Sequence, residues 1–379
     1  MTDSTTIRNV TFTHAVLEGT AYEIGKMQAE GIRDVPEALK FFTTPPPDRA
    51  PFTPQQAKSA VRFFEQHCPG LNEEIHGFAD GLSVSPEQIA YYAWSYQGDG
   101  RCSQIAALPA VTTNGHLLVG RNYEWNHQES DHRLVTTRIR GRAAHIGFSE
   151  MLFGRDDGIN EHGLCVTMSS GAPMAPTEPG GCTFWAVIRT VLERCQNVDE
   201  AIELIQSIPI SFNLNLMLAD RSGQAALMEI ASSHRGIRRI GPATPEKTLF
   251  ATNHFSLPEM MPYDLGRMWV SVVRAQAIQR RLEAANGQIA PDTLRSLLSD
   301  RIPAGLCAHH YSEWFGTLWS QIFDVTAGTV DVCFGAPTHN AWHTFDLHGP
   351  TGFTPYPVQL PDASADPSFW RKLAPGAEA

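Results

Sequence analysis

Apolar positions recur at helical spacing through most of the first hundred residues. Ala21-Tyr22-Glu23-Ile24-Gly25-Lys26-Met27 follows Gly19-Thr20, where Thr20 can cap a helix and Glu23, three residues on, can complete a capping box. The stretch from Phe42 to Phe52 is a break, because Pro45-Pro46-Pro47 and Pro51 cannot continue a helix. Helical spacing resumes at Thr53-Pro54, with proline at the first helical position, and runs to about His67. Two more helices are predicted near 71–81 and 85–96, the latter opened by Ser85-Pro86-Glu87.

The texture changes at Gly98-Asp99-Gly100-Arg101. From Cys102 the pattern reads as two strands joined by Thr113-Asn114-Gly115, and Asn-Gly between apolar runs favours a hairpin. Further strands are predicted at 163–169, at 212–219 with 225–230 around Asp220-Arg221-Ser222-Gly223, and at 318–325 with 329–334 around Ala327-Gly328. Helical stretches at 183–195, 198–205, 267–284 and 291–298 lie between them. Strand blocks interrupted by paired helices imply a layered α+β fold with helices covering sheets. No internal repeat occurs, and the only linker-like tract is the proline-rich 44–54, so one compact unit carrying a helical amino-terminal segment is expected.

The 379 residues are 42% hydrophobic and 18% charged, enough to bury a large core and incompatible with disorder. The net charge of -11 has the wrong sign for nucleic-acid phosphates or an anionic membrane surface. Apolar runs such as 105–111 and 216–219 fall far short of the roughly 20 residues that cross a bilayer. Met1-Thr2-Asp3-Ser4-Thr5-Thr6 lacks the features of a secretory signal, so a cytoplasmic protein is expected. Seven scattered cysteines without a C-x-x-C pair argue against a disulfide framework or a structural zinc site.

One cysteine stands apart. Cys102 opens a strand after a flexible Gly-Asp-Gly-Arg, and the return strand ends in Gly120-Arg121-Asn122-Tyr123-Glu124-Trp125. A thiol at a strand edge with a cation nearby can be driven toward the nucleophilic thiolate, and Arg121 is the natural cation. On residue types alone, a buried strand cysteine beside a surface Arg/Glu pair is the favoured reading.

The chain resembles the cysteine branch of the N-terminal nucleophile (Ntn) hydrolases, most closely the autoproteolytic family of acyl-CoA:6-aminopenicillanic acid acyltransferase, with penicillin V acylase and bile-salt hydrolase as cousins. The resemblance rests on Gly19-Thr20 with Glu23-Ile24-Gly25, Cys102-Ser103, Gly120 to Trp125, Gly158-Ile159-Asn160-Glu161-His162-Gly163-Leu164 and Thr252-Asn253-His254-Phe255. It implies a four-layer αββα sandwich and a precursor that cuts its own Arg101–Cys102 bond, giving a light chain of 1–101 and a heavy chain of 102–379. In that family pattern Cys102 is nucleophile and, through its freed α-amine, base. Arg121 favours the thiolate, Glu124 falls where relatives hold the amine with an aspartate, and Asn253 matches the oxyanion asparagine. Ser169 stands where relatives often carry asparagine, either donating to the reacting centre or capping a strand end. Arg101 departs from the glycine that often precedes the nucleophile.

The resemblance implies a hydrolase of linear amide bonds acting on a small-molecule N-acyl substrate, without cofactor or metal. Transfer of the acyl group from acyl-CoA or an amide to an amine is the alternative, for which Arg235, Arg238 and Arg239 are the only dense basic cluster available to CoA phosphates. An unprocessed, non-enzymatic scaffold is a third reading, raised by Arg101, Glu124 and Ser169, and a metal-dependent amidohydrolase a fourth. His254, His309-His310, His127 and His132 lack the partners or spacing of a papain-type or H-E-x-x-H site. Tyr91, Tyr92, Trp94 and Tyr96 read as core that could line an acyl pocket, and Gly154-Arg155-Asp156-Asp157-Gly158 as an acidic loop. Composition leaves substrate identity and oligomeric state open.

Overall fold

The amino-terminal segment begins with a strand and not a helix. Thr6–Gly19 pairs in parallel with Arg133–Ile139 and antiparallel with Gly352–Asp362, so it is a working member of the larger sheet. Threonine and β-branched residues alternate through Val10, Phe12 and His14, the period of a strand, which a search for helical spacing passes over. The computed structural model describes residues 6–43, 53–96, 101–173, 177 and 180–377. Residues 44–52, most of the proline-rich break, lie outside them.

The helices follow the sequence pattern closely. Ala21–Ile32 starts at the Thr20/Glu23 capping box, Pro54–His67 at a second box built by Thr53 and Gln56, and Pro86–Ser95 at a Ser85 cap. Ala21–Ile32 and Leu71–Leu82 cross at very close range through Gly25 and Gly77, where any Cβ would run into the backbone of the other helix.

Among the described residues, strands form a ten-stranded and a seven-stranded sheet, together with a two-stranded ribbon. The larger sheet runs His234–Ile240, Ala225–Ala231, Leu214–Ala219, Cys165–Ser170, Asp157–Asn160, His145–Glu150, Arg133–Ile139, Thr6–Gly19, Gly352–Asp362, with Gly154–Arg155 as its tenth strand, paired with His145–Glu150 off this path. The smaller runs Thr248–Ala251, Arg101–Ala107, Leu118–Trp125, Phe315–Asp324, Thr329–Phe334, Trp342–Phe345, with His309–His310 as its seventh, paired with Phe315–Asp324 off this path. Arg101–Ala107 faces Cys165–Ser170 and Leu214–Ala219 across the interface between the sheets. Phe184–Arg194 and Val198–Ser207 cover the outer face of the larger sheet, and Trp269–Ala285 and Pro291–Ser299 that of the smaller. The order is helix, sheet, sheet, helix, the αββα sandwich.

Strand alternation then sorts the chemistry. Ile105, Ala107 and Leu118 face the covering helices with Leu294, Leu297 and Leu298, whereas Ala106, Val119 and Tyr123 face the other sheet with Met168 and Leu216. The strand Arg101–Ala107 is buried on both sides from Cys102 onward, so its polar members Ser103 and Gln104 are enclosed along with its apolar ones.

Candidate active site

Cys102 lies at the second position of Arg101–Ala107, opposite Tyr123, with Arg101 opposite Glu124 and Gln104 opposite Arg121. The Gly98-Asp99-Gly100 approach lies outside the described residues. Because Cys102, Gln104, Arg121 and Tyr123 share one face, the thiol and the guanidinium meet between the sheets. Arg121 Nη2 lies 3.2 Å from Cys102 Sγ. The same guanidinium donates from Nε to the Met168 carbonyl at 3.1 Å and pairs through Nη1 with Asp157. Asp157 in turn accepts from Phe148 N at 3.0 Å, Trp319 Nε1 at 3.2 Å and Gln321 Nε2 at 3.3 Å.

Complete burial pushes the Cys102 thiol up to about 12, against the pull of Arg121, with Glu124 and Asp156 adding to the rise. Burial here favours the protonated thiol over the thiolate.

Ser103 and Glu124 face the opposite side, toward the helix Trp269–Ala285. There Arg274 donates from Nη1 to Ser103 Oγ at 2.8 Å and to Glu124 Oε2 at 3.2 Å, and from Nη2 to Asn253 Oδ1 at 2.6 Å. Thr317 Oγ1 donates to Glu124 Oε1 at 3.3 Å. Burial raises the Glu124 carboxyl to about 7, with Arg274 and Thr317 restraining the rise.

Asn253 is delivered by a short edge strand. Among the described residues Thr248–Ala251 pairs with Gln104–Ala107, ending at Ala251 opposite Gln104, so two residues further along that register bring Asn253 level with Cys102. Its backbone N–H donates to Ser271 Oγ at 2.8 Å, and its Nδ2 to the Ser170 carbonyl at 2.9 Å. Glu229 fixes the following turn, Oε1 accepting from Ser256 N at 2.7 Å and Oε2 from Leu257 N at 3.0 Å. A narrow cavity of about 10 Å³, the space one water needs, is bordered by Arg101, Asn253, Ser170 and Arg274.

The structure thus gathers Cys102, Arg121, Glu124 and Asn253 around the Arg101–Cys102 peptide. Ser169 takes a different place: its hydroxyl donates to the Thr252 carbonyl at 2.5 Å and accepts from Gln104 Nε2 and Asn215 Nδ2, each at 3.3 Å. It ties the two sheets together one residue before Asn253. His254 hydrogen-bonds Ser271 Oγ at 2.8 Å, and burial lowers its imidazole to about 3. His309 contacts Thr338 Oγ1 at 2.8 Å, and His310 the Ala363 carbonyl at 2.7 Å. Among the described residues no group of three or more His, Cys, Asp or Glu could hold a metal ion, and no helix is long and apolar enough to cross a membrane. Arg238 and Arg239 pair with Glu246 and Asp199, and Arg235 donates to the Ile208 carbonyl at 3.0 Å.

Two residues escaped the sequence reading. Arg274 lies on the buried face of its helix with Val270, Ser271, Ala277 and Ile278, and a lone arginine inside an apolar stripe is a signal that was there to find. Asp157 belongs not to an acidic loop but to the strand Asp157–Asn160, fully buried, with Gly154–Arg155 forming a second short strand before it. Nothing local marks it, because its partner Arg121 is 36 residues away.

Two sheets packed face to face between layers of helices define the Ntn hydrolase fold. The chain belongs to the acyl-coenzyme A:6-aminopenicillanic acid acyl-transferase family, whose model matches residues 111–339, more than half of the sequence. Similar solved structures include a conjugated bile acid hydrolase from Clostridium perfringens, 14% identical over 67% of this chain and 96% of that one, TM-score 0.46. A penicillin V acylase from Agrobacterium tumefaciens is 15% identical over 67% and 90%, TM-score 0.43. The N-acylethanolamine-hydrolyzing acid amidase ortholog of Caenorhabditis elegans is 14% identical over 59% and 93%, TM-score 0.41. No curated protein sequence matches. The family is one of enzymes that handle acyl groups, and the chain is a member of it.

Proposed function

We propose that the protein is a self-processing cysteine amidohydrolase that cleaves a linear amide of an N-acyl compound through a thioester on Cys102. The observation that carries this reading is the 3.2 Å contact between Arg121 Nη2 and Cys102 Sγ, with Glu124 opposite Arg101 at the adjoining peptide.

In processing, Cys102 Sγ attacks the Arg101 carbonyl carbon. The C–N bond breaks as the Cys102 nitrogen takes the thiol proton, leaving a thioester, and water hydrolyses that ester. The products are an Arg101 carboxylate and a Cys102 with free thiol and free α-amine. Such an amine titrates near about 7.7–8.0 and can serve as base for its own side chain. Cutting supplies a base beside a thiol that burial pushes up to about 12.

In turnover the amine takes the thiol proton and the thiolate attacks the substrate carbonyl. Collapse of the tetrahedral intermediate expels the leaving amine, which receives the proton from the α-ammonium. Water then attacks the acyl-thioester with the amine again as base, and the acid departs. Asn253 supports an oxyanion role because it borders the cavity beside Arg101, and one such donor is typically worth about 3 kcal/mol. Glu124, held by Arg274 and Thr317, takes the α-ammonium in this scheme, a role supported by its register opposite Arg101.

Hydrolysis is favoured over transfer from acyl-CoA because Arg238 and Arg239 already face Glu246 and Asp199. The test is to incubate the protein with a panel of N-acyl amides, quench in acid and map adducts by mass. An acyl group on the peptide beginning at Cys102, lost together with turnover after thiol alkylation, is the expected result. Turnover that survives alkylation and stops with a chelator would contradict the reading.

A further inference from the structure

Asn215 belongs to the strand Leu214–Ala219, directly opposite Ser169 in the register with Cys165–Ser170, and its side chain is buried. Its Nδ2 donates to the Thr252 carbonyl at 2.8 Å and to the His254 carbonyl at 3.3 Å, the carbonyls of the two residues on either side of Asn253. It also lies 3.3 Å from Ser169 Oγ, whose own hydrogen goes to the Thr252 carbonyl. Only an N–H can face these acceptors, so the amide has one orientation.

From the other side the helix Trp269–Ala285 reaches the same turn through Ser271. Ser271 Oγ accepts from Asn253 N at 2.8 Å and contacts His254 Nδ1 at 2.8 Å and Thr252 Oγ1 at 3.0 Å. Thr252, Asn253 and His254 are thus held between a strand of the larger sheet and a helix covering the smaller one. The space there is tight: a Cβ at Gly171 would lie 2.5 Å from the Phe255 ring and 3.0 Å from Asn215 Oδ1.

We infer that Asn215 is a positioning residue which, with Ser271, sets the turn that aims the Asn253 amide at the reacting carbonyl. This role rests on the proposed use of Asn253 as oxyanion donor. With the backbone fixed, the Asn253 side chain is oriented by its own partners. Arg274, which can only donate, takes Oδ1 at 2.6 Å, and Nδ2 donates to the Ser170 carbonyl at 2.9 Å. An amide nitrogen carries two hydrogens, so one N–H remains for the cavity that Asn253 borders beside Arg101. Such a donor acts only within hydrogen-bond reach of the place where negative charge develops. Among the described residues, no hydrogen bond of the Asn215 side chain goes to Cys102 or Arg121, so releasing the turn displaces the donor and spares the thiol.

The test separates the oxyanion from the thiol. The full-length protein is treated with p-nitrophenyl acetate, whose attack by a thiol passes through a tetrahedral oxyanion, or with iodoacetamide, whose displacement does not. Adducts at Cys102 are followed by mass on the cut fraction of the wild type, Asn215→Leu and Asn253→Ala. In Asn215→Leu acylation should slow by about 10²-fold, the cost of displacing a reacting group by about 1 Å, while alkylation keeps its wild-type rate. Combined with Asn253→Ala it should slow acylation no further, because both changes remove the same donor. Ser271→Ala should show the same split, and takes the place of Asn215→Leu if that variant fails to fold or to cut. Equal slowing of acylation and alkylation would mark a merely structural role and overturn the inference. Wild-type acylation in folded Asn215→Leu, beside slow acylation in Asn253→Ala, would also overturn it and leave the role of Asn253 intact. Undiminished acylation in Asn253→Ala would instead remove that role, and the inference with it.

Discussion

Arg121 bridges Cys102 and Asp157 with the two ends of one guanidinium, Nη2 on the thiol and Nη1 on the carboxylate. Three further donors, from Phe148, Trp319 and Gln321, hold that carboxylate in place. The aspartate thus acts on the thiol through the arginine, as a positioning residue.

Asp157→Asn keeps the volume and a carbonyl oxygen for Phe148 N but removes the charge facing Arg121. Misplacing a reacting group by about 1 Å costs about 10²-fold in rate, and self-cleavage should slow by that order. Leaving a buried arginine unpaired costs about 3–5 kcal/mol of stability, readable by urea denaturation. Wild-type processing and turnover in a folded Asp157→Asn protein would refute the assignment.

Glu124 gives a pH signature. Its folded value of about 7 stands above the ordinary 4.5 because burial disfavours the carboxylate. The folded state therefore holds a proton that the unfolded state releases, and stability falls as pH rises from 4.5 to 7. The loss is on the order of 3 kcal/mol over that window. Glu124→Gln, which cannot ionise, should lack this slope, so the stability difference between the two proteins changes across the window and is flat above it. Parallel curves would contradict the assignment.

Arg274 opposes the rise at Glu124. An opposite charge at this range typically depresses a carboxyl by about 1–3 units. Arg274→Met should therefore push the Glu124 transition upward by at least about 1 unit. The same stability comparison, run in the Arg274→Met background, reads the shift. An unmoved transition would detach Arg274 from Glu124.

Much of this was accessible from residue order. The hairpin carrying Cys102 to Arg121 and Glu124 is legible because its strands are close in sequence and both run apolar into the core. Its connection is longer than the Asn-Gly signal suggests, since a 3-10 turn at Pro109–Val111 intervenes. The helix starts at Thr20, Thr53 and Ser85 are legible because caps are local chemistry. Asp157 is not, because what gives it meaning is a contact with Arg121 across 36 residues; Arg274 shows locally as a lone arginine in an apolar stripe, but its partner Ser103 lies 171 residues away. The strand Thr6–Gly19 shows the period of a strand locally, but its partners lie far off in Arg133–Ile139 and Gly352–Asp362.

That strand also predicts the fate of the segment 1–101. Inserted between two neighbours, it cannot leave without stripping Gly352–Asp362 of its strand partner. Buried polar contacts add to the hold, Glu74 pairing with Arg189 and Arg133 donating to Gln28 at 3.2 Å. After cleavage the two pieces should co-elute in size-exclusion chromatography under reducing conditions and part only in denaturant. Elution of a free heavy chain from native buffer would contradict this.

The central claim is that Cys102 both cuts the chain and becomes its new terminus. Intact-mass analysis of freshly purified wild type beside Cys102→Ala tests it directly. The account predicts two fragments meeting at Arg101/Cys102 in the wild type and one full-length chain in the variant. A single uncut chain in both would contradict it, and would return Cys102 to the role of a buried thiol in an unprocessed scaffold.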